Sequence, residues 1–154
     1  MTQTSTERPS MVFDHVGLVV PDLVEAVDFY TAAFGFSVDS WEADTDVNPD
    51  AIGLPGEQVR LRGAILNGGN ARLELHQYLH PTGTAPRRVS DQGIGHFAFS
   101  VADIHESHQY LAGLGVSWNT EPNFIADGDL AGRWWVYGKD PWGNVIELGQ
   151  NPVT

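Results

Sequence analysis

The sequence contains no cysteine. That absence excludes disulfides, thiolate nucleophiles, cysteine-built zinc sites and iron–sulfur ligation in one step. Basic residues are scarce as well: eight Lys and Arg stand against twenty Asp and Glu, a formal net charge of −12. A chain so charged cannot neutralise a run of phosphates, which excludes sequence-independent nucleic-acid binding. An anionic membrane surface attracts basic segments and is an equally poor partner. No apolar run reaches the roughly 18 residues of a membrane span. Residues 1–10 lack the apolar stretch of a secretory signal and read as a disordered tail. The expectation is a cytoplasmic protein with no nucleic-acid and no membrane partner. Its chemistry must come from His, Asp, Glu, Tyr or a bound metal.

What is present is one domain's worth of chain, 154 residues with 42% hydrophobic content, enough to bury a core. It repeats internally. Asp14-His15-Val16-Gly17-Leu18-Val19-Val20-Pro21-Asp22-Leu23 matches Gly95-His96-Phe97-Ala98-Phe99-Ser100-Val101-Ala102-Asp103-Ile104, with an offset of 81 for both the His and the Asp. Each segment is an apolar, β-branched or aromatic run and reads as a strand. Each ends at an Asp with a Glu three residues on, Asp22/Glu25 and Asp103/Glu106, a helix start of the capping-box kind. Leu23, Ala26, Val27, Tyr30 and Phe34 then follow helical spacing up to a stop at Gly35. Ile104, Leu111 and Leu114 do so more weakly up to Gly115.

Three strand-like stretches follow each helix. They are Phe36–Glu42, Val59–Leu66 and Arg72–Leu79 in the first half, and Val116–Asn119, Trp134–Tyr137 and Asn144–Leu148 in the second. Asn67-Gly68-Gly69-Asn70 and Asp140-Pro141-Trp142-Gly143 supply the tight turns. Asp44–Gln58 reads as a long loop. The chain thus divides into module one, 11–80, a linker, 81–93, and module two, 94–150, each β-α-β-β-β.

In such a pairing the first and last strands of each half can line one concave sheet. The polar residues on them are His15 and His96, on the first strands, and Glu74 and Glu147, on the last. A carboxylate set between Leu or Ile on a strand is costly unless its charge is compensated. Two imidazoles and two carboxylates meeting at one point would suit a divalent cation of the Zn, Ni, Co, Mn or Fe type rather than Ca.

Phe13-Asp14-His15-Val16-Gly17, the Asp-Leu-x-x-Ala-Val-x-Phe-Tyr helix start, and Asp140-Pro141-x-Gly143-Asn144-x-Ile146-Glu147-Leu148 resemble the vicinal oxygen chelate superfamily. That group holds glyoxalases, methylmalonyl-CoA epimerase, extradiol dioxygenases and the fosfomycin and bleomycin resistance proteins. The resemblance spans about residues 11–150. It implies an α+β fold in which two paired β-α-β-β-β modules form an incomplete barrel. It places the metal ligands on the same four residues, His15, Glu74, His96 and Glu147. It further implies a homodimer, with the metal site inside one chain or shared by two, and a small-molecule substrate. The activity it implies is that of a metal-dependent lyase or isomerase of glyoxalase or epimerase type. The reaction would pass through a metal-chelated enediolate, with Glu147 or Glu74 as base.

Two rivals stand beside that reading. An Fe(II) ring-cleaving dioxygenase is supported by Tyr137, Asp140, Pro141, Gly143 and Glu147. It is weakened by the absence of a histidine at Gly128, Asp129 or Leu130, and by Glu74 as a fourth donor where oxygen needs an open position. A drug-binding or thiol-transfer resistance protein is the other.

Around the four donors, His76, Tyr137, Trp135 and Arg133 are the expected substrate-pocket residues. His76 shares a face with Glu74, although a rim histidine turned to solvent is the plainer reading. His80, His105 and His108 are expected at the surface. Trp41, Trp118 and Trp142 are pocket wall or core. Asp127 and Asp129 flank Gly128 in a loop over the site or a solvated turn. Arg87 and Arg88 read as surface charge.

Overall fold

The computed structural model describes residues 10–84 and 88–152. The tail over 1–9 and Arg87 lie outside the described residues. Two sheets and two helices make up the fold, and neither sheet closes into a barrel.

In the first half, β1 (Val16–Val19) leads into α1 (Leu23–Phe34), then β2 (Ser37–Val47), β3 (Val59–Asn67) and β4 (Arg72–His80), in sheet order β1-β4-β3-β2. In the second, β5 (Phe97–Ser100) leads into α2 (Ile104–Gly113), then β6 (Ser117–Trp118), β7 (Asn123–Phe124), β8 (Trp134–Lys139) and β9 (Val145–Gln150). That sheet runs β5-β9-β8-β6, with β7 also on β8. In each half the first strand lies parallel to the last, and the helix crosses over from the first strand to the opposite edge of the sheet.

The helix starts follow the capping signals. Asp22 accepts from the Val24 and Glu25 amides, and Asp103 from those of His105 and Glu106. Gly35 ends α1 in the left-handed region at φ 70°. A second device repeats in both halves: Gln77 Oε1 accepts from the Leu23 amide at 3.0 Å, and Gln150 Oε1 from the Ile104 amide at 2.8 Å. Each glutamine stands three residues after its glutamate, in Glu74-Leu75-His76-Gln77 and Glu147-Leu148-Gly149-Gln150. It ties the first amide of the helix, which the aspartate leaves free, to the inner face of the last strand.

Two features differ most from the sequence reading. The expected loop over Asp44–Gln58 begins later, because β2 continues to Val47 along β3, with Arg60 facing Asp44 and Asp46. A short 3-10 turn at Pro49–Ile52 follows. The unexpected strand β7 is two residues long, too short to carry a period.

Alternate residues separate the faces of each sheet. Leu73 and Leu75 of β4 pack with Leu23, Ala26, Val27 and Tyr30 of α1. Ile146 and Leu148 of β9 pack with Val136, Ile104 and Leu111. Phe29, Phe34, Phe97 and Phe99 touch both clusters, and Phe34 stacks on Phe99 at 4.0 Å, so one aromatic joint binds the halves together. The opposite, more open faces carry the remaining alternate residues, Glu74 and His76 on one sheet and Glu147, Tyr137 and Trp135 on the other. Among the described residues no helix is long and apolar enough to cross a membrane.

Candidate functional site

On the first open face, the parallel register of β1 and β4 sets Gly17 opposite Glu74. A Cβ on Gly17 would stand 3.7 Å from Glu74 Oε2, so the carboxylate lies across the glycine towards the preceding histidine. His15 Nε2 is 3.3 Å from Glu74 Oε2. Asp14 Oδ2 meets the other ring nitrogen, Nδ1, at 2.8 Å. Arg72 Nη1 donates to Asp14 Oδ1 at 3.1 Å, and its Nη2 stands 3.5 Å from Asp39 Oδ2. The Asp14 hydrogen bond raises the His15 pKa above the usual imidazole value and lowers that of Asp14. In the neutral tautomer that gives Nδ1–H to Asp14, Nε2 would carry the lone pair that a metal ion takes.

His76 is also drawn into this face. Its Nε2 is 3.8 Å from Glu74 Oε1, and its ring covers Gly63, where a Cβ would come within 2.8 Å of it. With a side chain only 22% exposed it faces the carboxylate, which corrects the expectation of a rim histidine turned to solvent.

The second open face repeats the pairing. Ala98 lies opposite Glu147, and His96 Nε2 is 3.1 Å from Glu147 Oε2. Here Tyr137 of β8 approaches the same ring nitrogen that faces Glu147. It sits opposite Glu147 in the β8–β9 ladder, with its hydroxyl 3.4 Å from His96 Nε2. Burial first, then the Glu147 charge, holds the Tyr137 pKa above the ordinary phenol value. The Trp135 ring follows at 5.6 Å from that of Tyr137. Arg133 lies across Gly149, its Nη2 2.8 Å from where a Cβ on that glycine would be.

These pairs fit a divalent ion. Two N or O ligands at about 2.1 Å from one ion and at right angles stand about 3 Å apart. The observed 3.3 and 3.1 Å match neighbouring coordination positions. A carboxylate behind the far nitrogen of a ligating histidine, as Asp14 stands behind His15, is the usual support for such a ligand. The four donors do not meet within one chain. Among the described residues, no three His, Cys, Asp or Glu side chains come close enough to hold an ion. One chain therefore offers two half-sites of two donors, one on each sheet.

A cavity of about 830 Å³ opens between β1, β5 and the segment after β4, lined in part by Val19, Tyr78, Ile94, His96 and Trp142. Of the predicted site residues it reaches His96 alone. Trp118 and Trp134 pack on the second core, and Trp142 stands edge-on to Phe29, so these three are first of all packing residues. His80 and His105 are exposed as expected. His108 departs from that expectation: it is half-buried, its ring stacked on Trp118 at 5.0 Å. Arg88 pairs with Asp91 at 3.3 Å, and Asp127 and Asp129 are exposed around the Gly128 turn.

Three participants went unread in the sequence. Asp14 was legible as the residue beside His15, but the adjacent position alone does not reveal a hydrogen bond. Gly17 and Gly149 count for what their missing side chains admit, which only the neighbouring strand discloses.

The Glyoxalase/Bleomycin resistance protein/Dioxygenase superfamily profile matches residues 12–148. A 2-epi-5-epi-valiolone epimerase from Actinomyces sp. is 36% identical over 144 residues, covering 90% of this chain and 79% of the relative. A glyoxalase family protein from Bacillus cereus superimposes with a TM-score of 0.74 at 22% identity, over 96% of this chain and 99% of the other. A genomically encoded fosfomycin resistance protein from Listeria monocytogenes, solved with Mn(II) and sulfate, does so with a TM-score of 0.58 at 15% identity, over 94% and 96%. With the profile spanning nearly the whole length and the duplicated fold on the same residues, this chain belongs to the Glyoxalase/Bleomycin resistance protein/Dioxygenase superfamily.

Proposed function

We propose that the chain is a divalent-metal-dependent epimerase that moves a proton on a carbon beside a carbonyl. The observation that carries the reading is the pair of matched half-sites, His15 with Glu74 and His96 with Glu147. The name of the Actinomyces relative, a 2-epi-5-epi-valiolone epimerase, supports it: the name gives an epimerisation and a compound whose ending denotes a ketone.

The four side chains would hold the ion, and the ion, once bound, would draw negative charge onto the substrate oxygens. The rest falls to the protein. Inversion at carbon takes a proton from one face and returns one to the other, so it needs two acid–base groups on opposite sides. Glu74 and Glu147 are such a pair, one on each sheet. One carboxylate accepts the proton as the C–H bond breaks, the other carboxyl delivers its proton to the opposite face, and the sum is an isomerisation. Tyr137, whose hydroxyl stays protonated at neutral pH, can donate a hydrogen bond to substrate oxygen beside Glu147.

Because one chain brings only two donors together at a time, the reading includes a second copy. A homodimer in which the first open face of one chain meets the second open face of its partner would gather all four donors. Met11, Val12 and Phe13 beside His15, and Ile94 beside His96, are exposed apolar residues placed to be covered in that union.

The test is proton exchange in deuterated water with 2-epi-5-epi-valiolone and a panel of α-hydroxyketones, using protein loaded with Mn(II), Ni(II) or Zn(II). Solvent deuterium entering the substrate only with metal supports the reading. Absence of exchange across the panel together with oxygen uptake on a catechol would replace it with the dioxygenase, for which Glu74→Gln would be tolerated.

A further inference from the structure

We propose that Arg133 and Gly149 form a subsite for an oxyanion, a carboxylate or phosphate carried by the substrate beside the carbon that Glu147 serves. The inference deepens the epimerase reading and takes from it only that the open face around Glu147 receives substrate; it calls for an acidic substituent that the neutral ketone named for the Actinomyces relative does not carry.

The starting point is a guanidinium without a partner. The chain has twenty acidic residues. The other arginines described all find side-chain partners: Arg60 with Asp44 and Asp46, Arg62 with Gln77, Arg72 with Asp14 and Asp39, and Arg88 with Asp91. Among the described residues the Arg133 side chain makes no ion pair or hydrogen bond, and its Nε is buried with no acceptor. The side chain is half-buried and its Nε is shut off from water, and a buried donor left without an acceptor is unfavourable. Arg72 also buries its Nε, but its two Nη groups face carboxylates.

The glycine supplies the second observation. Gly149 has ordinary backbone torsion, so nothing in the chain path demands glycine there. What it provides is room: a Cβ would lie 2.8 Å from Arg133 Nη2 and 3.5 Å from Nε. The duplication sharpens this. Glu74 corresponds to Glu147 and Ile65 to Tyr137, as residues opposite one another in equivalent ladders. Two and four positions back along the strand, Gly63 then corresponds to Trp135 and Leu61 to Arg133. The first half puts a buried leucine where the second half puts an unpaired arginine, so the fold does not require a cation at this point.

Position and chemistry define the ligand. Arg133, Trp135 and Tyr137 alternate along β8 and share the face of Glu147. Gly149 is two residues beyond Glu147 on β9, about 7 Å along the strand. A molecule the size of a six-membered ring, with its reacting carbon at Glu147, would bring a substituent over Gly149. The guanidinium there presents parallel N–H donors, the arrangement that takes a carboxylate or phosphate by two hydrogen bonds at once.

The test uses inorganic phosphate as probe, with glycerol as the neutral control. Binding to the full-length protein is followed by tryptophan fluorescence and calorimetry, in wild type, R133Q and G149A. G149A keeps the charge but displaces the flexible end of Arg133, so it separates loss of the site from loss of the fold. The expected result is phosphate binding weakened about tenfold or more in both variants, no comparable response to glycerol, and unchanged Mn(II) binding by EPR. Phosphate binding equal in all three proteins, or none in wild type because a partner's carboxylate already covers Arg133, overturns the proposal. If Mn(II) fails to bind any of them while phosphate still depends on Arg133, the metal reading falls and the subsite stands.

Discussion

Tyr30 and Asp140 are 110 positions apart in the chain, and the Tyr30 hydroxyl donates a 2.7 Å hydrogen bond to Asp140 Oδ2 in the buried joint between the two halves. Asp140 is 3% exposed and also accepts from the Trp142 amide, the Asn144 amide and the Asn144 side chain. A carboxylate buried in a tight turn is thereby fully engaged, and one of its donors comes from the other module. The turn that ends one half is held by the helix that begins the other.

Replacing Tyr30 by Phe removes one donor from that buried carboxylate and leaves the ring packing in place. The expected loss of stability is about 1–3 kcal/mol, measured by urea unfolding at neutral pH. Burial, then the Asp140 charge, pushes the Tyr30 pKa far above the ordinary value of 10.0. A group whose pKa is raised on folding contributes in full below its unfolded value and loses that contribution as pH rises past it. The gap in stability between wild type and Tyr30→Phe should therefore be constant below about pH 10 and shrink above it. A gap that widens with alkali would contradict the buried hydrogen bond.

Asp14→Asn keeps a hydrogen-bonding group behind His15 but removes the charge. If His15 ligates an ion, its affinity for Mn(II) or Zn(II) should fall about 10- to 100-fold while the fold is retained, as metal titration with circular dichroism would register. An unchanged affinity would mean that His15 is not a ligand.

A site shared between copies has a consequence that mixing reveals. His15→Ala and His96→Ala should each abolish tight Mn(II) binding alone. Unfolded together and refolded as an equal mixture, they should recover about a quarter of the wild-type sites, since half the dimers are mixed and each of those holds one intact site of two. Recovery of none would place any metal site within single chains.

Gln150→Leu and Gln77→Leu should each cost about 1 kcal/mol in chemical denaturation, the scale of a lost helix cap. Gln77 also accepts from Arg62 Nε at 2.9 Å, so its replacement should cost the more of the two.

Much of this architecture can be read directly from the residues. The Asp22 and Asp103 caps, the Gly35 stop and the apolar periodicity act within a turn or two of chain, so the residues that carry the signal are also the ones that respond to it. The β2 end was misread because Asp44 and Asp46 look like loop residues until Arg60 on the next strand answers them. The four candidate donors stood out by type and position because the duplication puts a His and a Glu at matching places in each half.

The sequence alone determined most of the strands and both helices, that they come in two related sets, and that a glutamate lies on each last strand while a histidine stands just before each first strand. These depend on local backbone preference and on repetition. Tertiary structure alone decided that each histidine meets the glutamate of its own half, that Tyr30 closes on Asp140, and that Arg133 rests on Gly149 without a counter-charge. Those contacts follow from the register between strands far apart in the chain, and from the space a missing side chain leaves, neither of which is a property of neighbouring residues.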